Sequence, residues 1–267
     1  NTFCDAVVDD WKILVYTPGK VGSRTISAGL GDRGLHIHTF VLPEALPQVS
    51  SEYYSVLRKK IFEKKRKMII MVRSPFSRDI SGFLQNMDSF LYPFCVDNPS
   101  GFFYGDYLIN NQLFDFDTYK RKTIGWTSDM SENCERYLSQ IIETKGDEFS
   151  WFDYELKHFW DIDVFEHNFD KERGCQIIDS KYAEIMLIKL EKLSYCMKEI
   201  FDFIGGSYFY IQEANTGSDK MYKFLYDSIR NKITLPKDYV NYYINNSYAK
   251  HFYAEEELLN DLKKWKY

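Results

Sequence analysis

Glycine and proline are scarce, at 14 and 7 residues in a chain of 267. That excludes a collagen-like repeat and a turn-dominated fold. No run of about 18 apolar residues occurs, so no transmembrane helix is expected. Cysteine is limited to Cys4, Cys95, Cys134, Cys175 and Cys196, with no CxxC pair. Five scattered thiols suit reduced side chains better than a disulfide framework. Positive charge is not in excess: 34 Lys and Arg stand against 39 Asp and Glu, a net −5. A general nucleic-acid binder is usually basic, so that class is demoted and no nucleic-acid partner is expected. The start, Asn1-Thr2-Phe3-Cys4, has neither Met nor an apolar signal core. It reads as the trimmed start of a longer chain. A cytosolic location is expected from the thiols, or another compartment if a targeting segment or anchor was removed. What is plentiful is aromatic: 18% of residues, from 21 Tyr, 21 Phe and 5 Trp. Aromatic side chains suit a core, and equally the walls of a sugar site.

Apolar β-branched runs mark the strands. Trp11 to Tyr16 reads as a buried strand, Thr17 to Ser23 as a loop, and Arg24 to Leu30 as a helix closed by glycine. Leu35 to Leu42 reads as a second strand, Ser50 to Lys67 as a helix with a basic end, and Met68 to Val72 as a third strand. Ser74-Pro75 opens a helix to about Phe90, with proline near its first turn. Helices are expected at about 129–144 and 149–160, an extended segment at Ile162 to Phe169, and a fourth strand at Ile185 to Leu190. A helix at about 192–204 and others at about 218–230, 236–245 and 254–265 complete the pattern. Alternation of continuous apolar strands with helices predicts an α/β fold: a P-loop-like three-layer arrangement, a central parallel sheet flanked by helices, and a helical C-terminal third. One domain is expected. Its sheet-bearing core spans about 11–91 and 185–205, a lid or substrate region 92–184, and a helical part 206–267.

Two motifs carry chemistry. Pro18-Gly19-Lys20-Val21-Gly22-Ser23-Arg24-Thr25 joins a strand to a helix. Free backbone N–H groups and the positive helix end favour an anion there, and Gly22 permits close approach. Lys20 adds a cation; Ser23 and Thr25 add hydroxyls. A structural turn with an exposed lysine is the plainer alternative. The Walker A spacing is absent. Arg73 closes the third strand, and Ser81 follows eight residues later in the next helix. An arginine there holds a phosphate bidentately, within reach of a serine. Both motifs sit at the carboxyl ends of strands, where open α/β sheets bind ligands.

The pair K-x-G-[ST]-x-[ST] and R-x-P-x-x-x-x-x-S resembles sulfotransferases that use 3′-phosphoadenosine 5′-phosphosulfate (PAPS). By that resemblance Lys20, Val21, Gly22, Ser23, Arg24 and Thr25 hold the 5′-phosphosulfate, and Arg73 and Ser81 the 3′-phosphate. Two positions depart from the pattern: Gly19 separates Pro18 from Lys20, and Arg24 stands where Ser or Thr is common. Trp151 to Lys157, Ile162-Asp163-Val164, Phe169 to Gly174, Leu187 to Leu193 and His251 to Glu257 are similar to the bacterial "putative capsular polysaccharide synthesis" group of sulfotransferase-like proteins. The activity so implied is transfer of a sulfuryl group from PAPS to a carbohydrate hydroxyl. A carbohydrate acceptor is the expected partner, adenosine 3′,5′-bisphosphate the expected product, and no metal is expected.

Such a displacement needs a base for the acceptor proton and a cation at the leaving oxygen. Lys20 is the candidate cation. His36 and His38 are the candidate bases, alternate residues that leave one face of a strand. The H-x-H also resembles the uronyl and heparan sulfate 2-O-sulfotransferases, in which a histidine there acts as base. His38, nearer the strand's carboxyl end, is preferred. The ordinary alternative is a pair of satisfied, partly buried histidines. Zinc would need a third ligand, which the spacing does not offer. His251 is a further candidate base, whereas His158 and His167 read as surface. Seven of the ten residues Arg58 to Lys67 are basic, either a solvated helix face or a guide for an anionic ligand. Tyr92, Phe94, Phe102, Phe103, Tyr104 and Tyr107 line either an acceptor groove or a packed lid. The rival readings are a P-loop nucleotide phosphotransferase, which lacks an acidic Mg²⁺ ligand at the third strand's end, and a non-catalytic nucleotide- or glycan-binding protein.

Overall fold

The computed structural model describes residues 12–38, 51–91, 132, 134, 135, 137–139, 151–206, 209, 211 and 223–265. Along the chain these form β1 (Ile13–Tyr16), α1 (Ser23–Leu30), β2 (Gly34–Ile37), α2 (Ser51–Ile61), β3 (Arg66–Val72) and α3 (Pro75–Leu91). A π-helix (Phe152–Phe159) is followed by β4 (Cys175–Asp179), β5 (Ala183–Lys189), a 3₁₀ segment (Leu190–Cys196) and α4 (Met197–Phe203). Helices α5 (Lys223–Lys232), α6 (Lys237–Asn245), α7 (Ser247–Phe252) and α8 (Glu255–Lys263) complete them. The chain divides into two compact units. One comprises Asn1–Arg73, Asp147–Ala214 and Asn246–Ala254; the other comprises Ser74–Gly146, Asn215–Asn245 and Glu255–Tyr267.

The first unit is mixed α/β. Its five strands run in the order β2-β1-β3-β5-β4. The first four are mutually parallel, as expected of continuous apolar runs buried on both faces. The fifth, β4, is antiparallel to β5 and was not expected. It is short, and its central Ile177 is 49% exposed, so the edge strand carries no strong apolar signature. The segment Ile162 to Phe169, expected as extended, instead makes a 3₁₀ turn at Val164–Glu166, where the Asp163 carboxylate accepts from the Phe165 amide at 3.0 Å.

Alternate residues of each strand fill two layers. Ile13, Val15, Ile69, Met71, Met186 and Ile188 pack with Ile26 and Leu30 of α1 and Ile200 and Phe203 of α4. On the opposite sheet face Leu14, Tyr16, Ile70, Val72, Leu187 and Lys189 are also buried. There the Tyr16 ring lies 4.9 Å from Trp151 and 6.4 Å from Trp160, at the two ends of the π-helix. Each such aliphatic side chain contributes roughly 1.5–3 kcal/mol by leaving water. The described cysteines Cys175 and Cys196 are free and buried, and burial raises both thiol pKa values.

The second unit, among its described residues, is helical and organised by two buried carboxylates. Asp79 on α3 accepts from the hydroxyls of Tyr239 and Tyr243 at 2.9 and 2.7 Å and pairs with Arg78 at 2.8 Å. Burial is the largest influence on Asp79 and raises its pKa. Asp261 on α8 accepts from Ser74 and, at 3.3 Å, from Ser77, and pairs with Lys264 at 3.0 Å. The free, buried Cys134 belongs to this unit. Residues 132, 134, 135 and 137–139 are helical, where a helix at about 129–144 was expected. The aromatic stretch from Tyr92 to Tyr107 lies outside the described residues.

Candidate functional site

The site is built at the carboxyl ends of β1, β2 and β3. Beyond Tyr16 the chain passes through the buried Thr17, whose amide extends the ladder to the Ile37 carbonyl at 3.2 Å. The loop then turns twice through left-handed backbone: Lys20 has φ 69° and Gly22 φ 82°. At Gly22 a Cβ would meet Leu190 Cδ1 at 2.6 Å, which explains the glycine. At Lys20 no such freedom exists, and its Cβ in left-handed backbone costs on the order of 1–2 kcal/mol. Strain of this kind persists where the surroundings over-determine it. The Lys20 carbonyl accepts from Nη1 of Arg73 at 3.0 Å, one of the bonds that hold the loop.

Helix α1 begins at Ser23 with Gly22 as its cap. No side chain caps its first amides, and no acidic residue stands in its first turn. Its N-terminus therefore has backbone donors and positive dipole available to an anion. Val21 and Ser23 are buried, Thr25 is half-buried and Arg24 is exposed. The donor set is chemically uniform: amides, hydroxyls, an ammonium and a guanidinium, with no carboxylate among the candidates.

Arg73 is anchored through its backbone. The Tyr248 hydroxyl on α7 accepts from the Arg73 amide at 3.1 Å and donates to the Arg73 carbonyl at 2.9 Å. Tyr248 is fully buried, so these bonds satisfy a strand end that has left the ladder. Ser81, the other half of the second motif, lies half-buried on α3 and belongs to the other unit.

Strand β2 ends at Ile37, earlier than the expected Leu42. His38 therefore follows the strand rather than lying within it. The shared face predicted for the two histidines is present, their rings 4.4 Å apart edge to face. They differ in environment. His36 is half-buried, its Nε2 has no partner among the described residues, and its pKa is lowered to about 4 by burial, then by His38 and Arg24. It stays neutral at pH 7 and resists taking a proton. His38 is exposed, with Nδ1 2.8 Å from the Thr17 carbonyl. A carbonyl only accepts, so Nδ1 carries the hydrogen and Nε2 of the neutral ring is the acceptor. The His38 carbonyl in turn accepts from the Trp151 indole at 2.6 Å. His38 is thus tied at ring and backbone, with its basic nitrogen left over. A hydrogen bond from the Tyr16 hydroxyl to the buried Glu155 sits under the Trp151 ring.

Three side chains here were not singled out from the sequence: Trp151, Tyr248 and Lys189. Lys189, at the carboxyl end of β5, is fully buried. Its ammonium donates to the Lys171 carbonyl at 3.1 Å and lies 4.7 Å over the Tyr253 ring. A lysine interrupting an apolar strand was the available signal. His251 packs against Phe165 and Phe252 at 5.2 and 4.6 Å, and burial lowers its pKa. His158 and His167 are exposed, as expected. Among the described residues no three His, Cys, Asp or Glu side chains group around a possible metal position, and no helix is long and apolar enough to cross a membrane.

A family model described as "putative capsular polysaccharide synthesis protein" matches residues 129–254. The matched stretch contains Trp151 and Tyr248, which bond the His38 carbonyl and the Arg73 backbone, and also Lys189. It does not contain the loop Pro18–Thr25, the histidines at 36 and 38, or Arg73. No curated protein and no solved structure matches the chain.

Proposed function

We propose that the chain transfers a sulfuryl group from PAPS to a hydroxyl of a carbohydrate. The observation that carries this reading is the hydrogen bond from Arg73 to the Lys20 carbonyl at 3.0 Å. It joins two motifs 53 residues apart, beyond the carboxyl ends of β1 and β3. The Thr17 carbonyl, three residues before Lys20, holds a histidine tautomer that leaves Nε2 of His38 as acceptor. The all-donor lining suits a phosphosulfate: the first turn of α1, Lys20, Ser23 and Thr25 would hold it, and Arg73 would bind phosphate oxygens. When bound, PAPS supplies an electrophilic sulfur and a stable leaving group. The acceptor hydroxyl then gives its proton to His38 Nε2, and its oxygen bonds to sulfur. The bond from sulfur to the bridging oxygen breaks, leaving its electron pair on adenosine bisphosphate. The Lys20 ammonium offsets that developing charge. The match to a polysaccharide-synthesis family supports a carbohydrate as acceptor.

Calorimetric titration with adenosine 3′,5′-bisphosphate tests the donor half. Micromolar-range binding is expected, weakened by Lys20→Ala and by Arg73→Ala. No binding, or binding indifferent to both changes, would overturn the reading. For the base, His38→Ala should lower turnover about 10²- to 10⁴-fold while nucleotide affinity stays near wild type. If His36→Ala does so instead, the base is His36. Sulfate transfer should persist in excess EDTA, which a P-loop phosphotransferase reaction would not survive.

A further inference from the structure

A cleft lies at the amino ends of the parallel strands. It is lined by Arg58, Lys59, Phe62, His158, Asp161 and Tyr182, among others, and has a volume of about 500 Å³. Tyr182 immediately precedes β5 and Phe62 lies four residues before β3, at the amino ends where Arg66 pairs with Ala183. Lys20 and Arg73 lie at the carboxyl ends. Seven residues of parallel strand separate the two ends, about 20 Å at roughly 3.3 Å per residue. The cleft is therefore distinct from the loop site.

Its walls are held rigidly. Phe62 and Tyr182 stack at 4.4 Å with 18° between planes. The Arg58 guanidinium covers Phe62 at 5.3 Å, and the Lys181 ammonium lies 4.7 Å over Tyr182. Arg58 is fixed further by a 3.1 Å bond from Nη2 to the Phe159 carbonyl, at the end of the π-helix. Two irregularities converge here. π-Helical turns are rare and concentrate at functional positions. Just beyond, Asp161 holds φ 58°, uncommon outside glycine.

The polar groups facing this space are largely unspent. Lys59 and His158 are exposed and make no hydrogen bond or ion pair among the described residues, and Arg58 makes only the one to Phe159. Two lining cations and one carboxylate, the latter also attracted to Lys181 outside the lining, ask for a ligand that is anionic and also offers hydroxyl donors. A bare phosphate or sulfate would be repelled by Asp161. A neutral sugar would leave both cations unused. A cleft of this volume fits one or two sugar rings.

We propose that this cleft binds an anionic sugar unit, a uronate or a sulfated ring, of a polysaccharide chain. Arg58 and Lys59 take the carboxylate or sulfate, Asp161 accepts from ring hydroxyls, and His158 bonds at the rim. The assignment stands apart from the sulfuryl-transfer reading, because it uses no residue of the loop site.

The test titrates the whole chain with four probes: a uronate oligosaccharide from alginate, a size-matched sulfated dextran oligomer, a neutral dextran oligomer and tripolyphosphate. At least one acidic oligosaccharide should bind, and which one identifies the anionic group. Lys59→Glu alters only an exposed side chain and should weaken that binding at least about tenfold, as should Arg58→Gln. Asp161→Asn, which asparagine's tolerance of left-handed backbone permits, should weaken the sugar and tighten tripolyphosphate. Adenosine bisphosphate affinity should not change in any of these variants, whereas Lys20→Ala should spare oligosaccharide binding. The proposal is overturned if neither acidic sugar binds, or if Lys59→Glu is without effect. It is equally overturned if tripolyphosphate competes as well as the sugar in wild type, or if Asp161→Asn moves both ligands in one direction.

Discussion

Three positions in the loop region each carry a separable energetic consequence. At Gly22 an alanine meets two costs: left-handed backbone at φ 82° and contact with Leu190 at 2.6 Å. Gly22→Ala should destabilise by about 1–3 kcal/mol in urea unfolding. Adding Leu190→Ala should return the contact part and leave the backbone part. His36 makes a pH-dependent contribution whose sign follows from its lowered pKa. The folded value, about 4, lies below the ordinary imidazole value of 6.5, so protons prefer the unfolded chain. Stability from this residue is complete above about pH 6.5 and is lost as pH falls toward 4. Melting temperature measured across that window should therefore fall less steeply in His36→Asn than in wild type. Trp151 acts at one remove, through its bond to the His38 carbonyl. Trp151→Phe should lower kcat while leaving adenosine bisphosphate affinity unchanged, separating positioning from binding.

Among the elements, those announced by continuous apolar runs were legible: β1, β3 and β5 fall, within about two residues at each end, where Trp11 to Tyr16, Met68 to Val72 and Ile185 to Leu190 predicted them. The strand–loop–helix junction at Pro18 to Thr25 was legible for the same reason, since a glycine-bearing loop between two periodic segments is local information. What depended on pairing was not. Strand β4 exists because β5 offers it a partner, and the exposed Ile177 gives it little apolar patterning of its own. The end of β2 at Ile37 is set by its pairing with β1, one residue short of His38. Tyr248 could not be distinguished from 20 other tyrosines, because its role arises only when α7 meets the end of β3. Tyr248→Phe removes both bonds to Arg73 and should cost about 1–3 kcal/mol while weakening adenosine bisphosphate binding. In the other unit, Asp79→Ala leaves two buried tyrosine hydroxyls without their acceptor. About 2–4 kcal/mol should be lost in denaturant titration.

On the scale of the whole molecule, the net charge of −5 and the cationic loop pull in opposite directions on an anionic ligand. Long-range repulsion is screened within about 10 Å at 0.1 M salt, whereas contact pairs are screened less. Adenosine bisphosphate affinity should fall as salt rises, and the slope should be shallower in Lys20→Ala, measured by titration at several ionic strengths. The division of the chain has a consequence for its synthesis. Each unit is assembled from three separate stretches, and the backbone passes from one unit to the other five times. No single cut between neighbouring residues releases either unit whole. Tyr248, in the last stretch of the sheet-bearing unit, leaves the ribosome about 175 residues after the Arg73 backbone it must fasten. Until then the strand end beneath the loop lacks its partner. The nascent chain therefore reaches its ligand-ready form late, and a chaperone would meet the loop residues before their clamp exists.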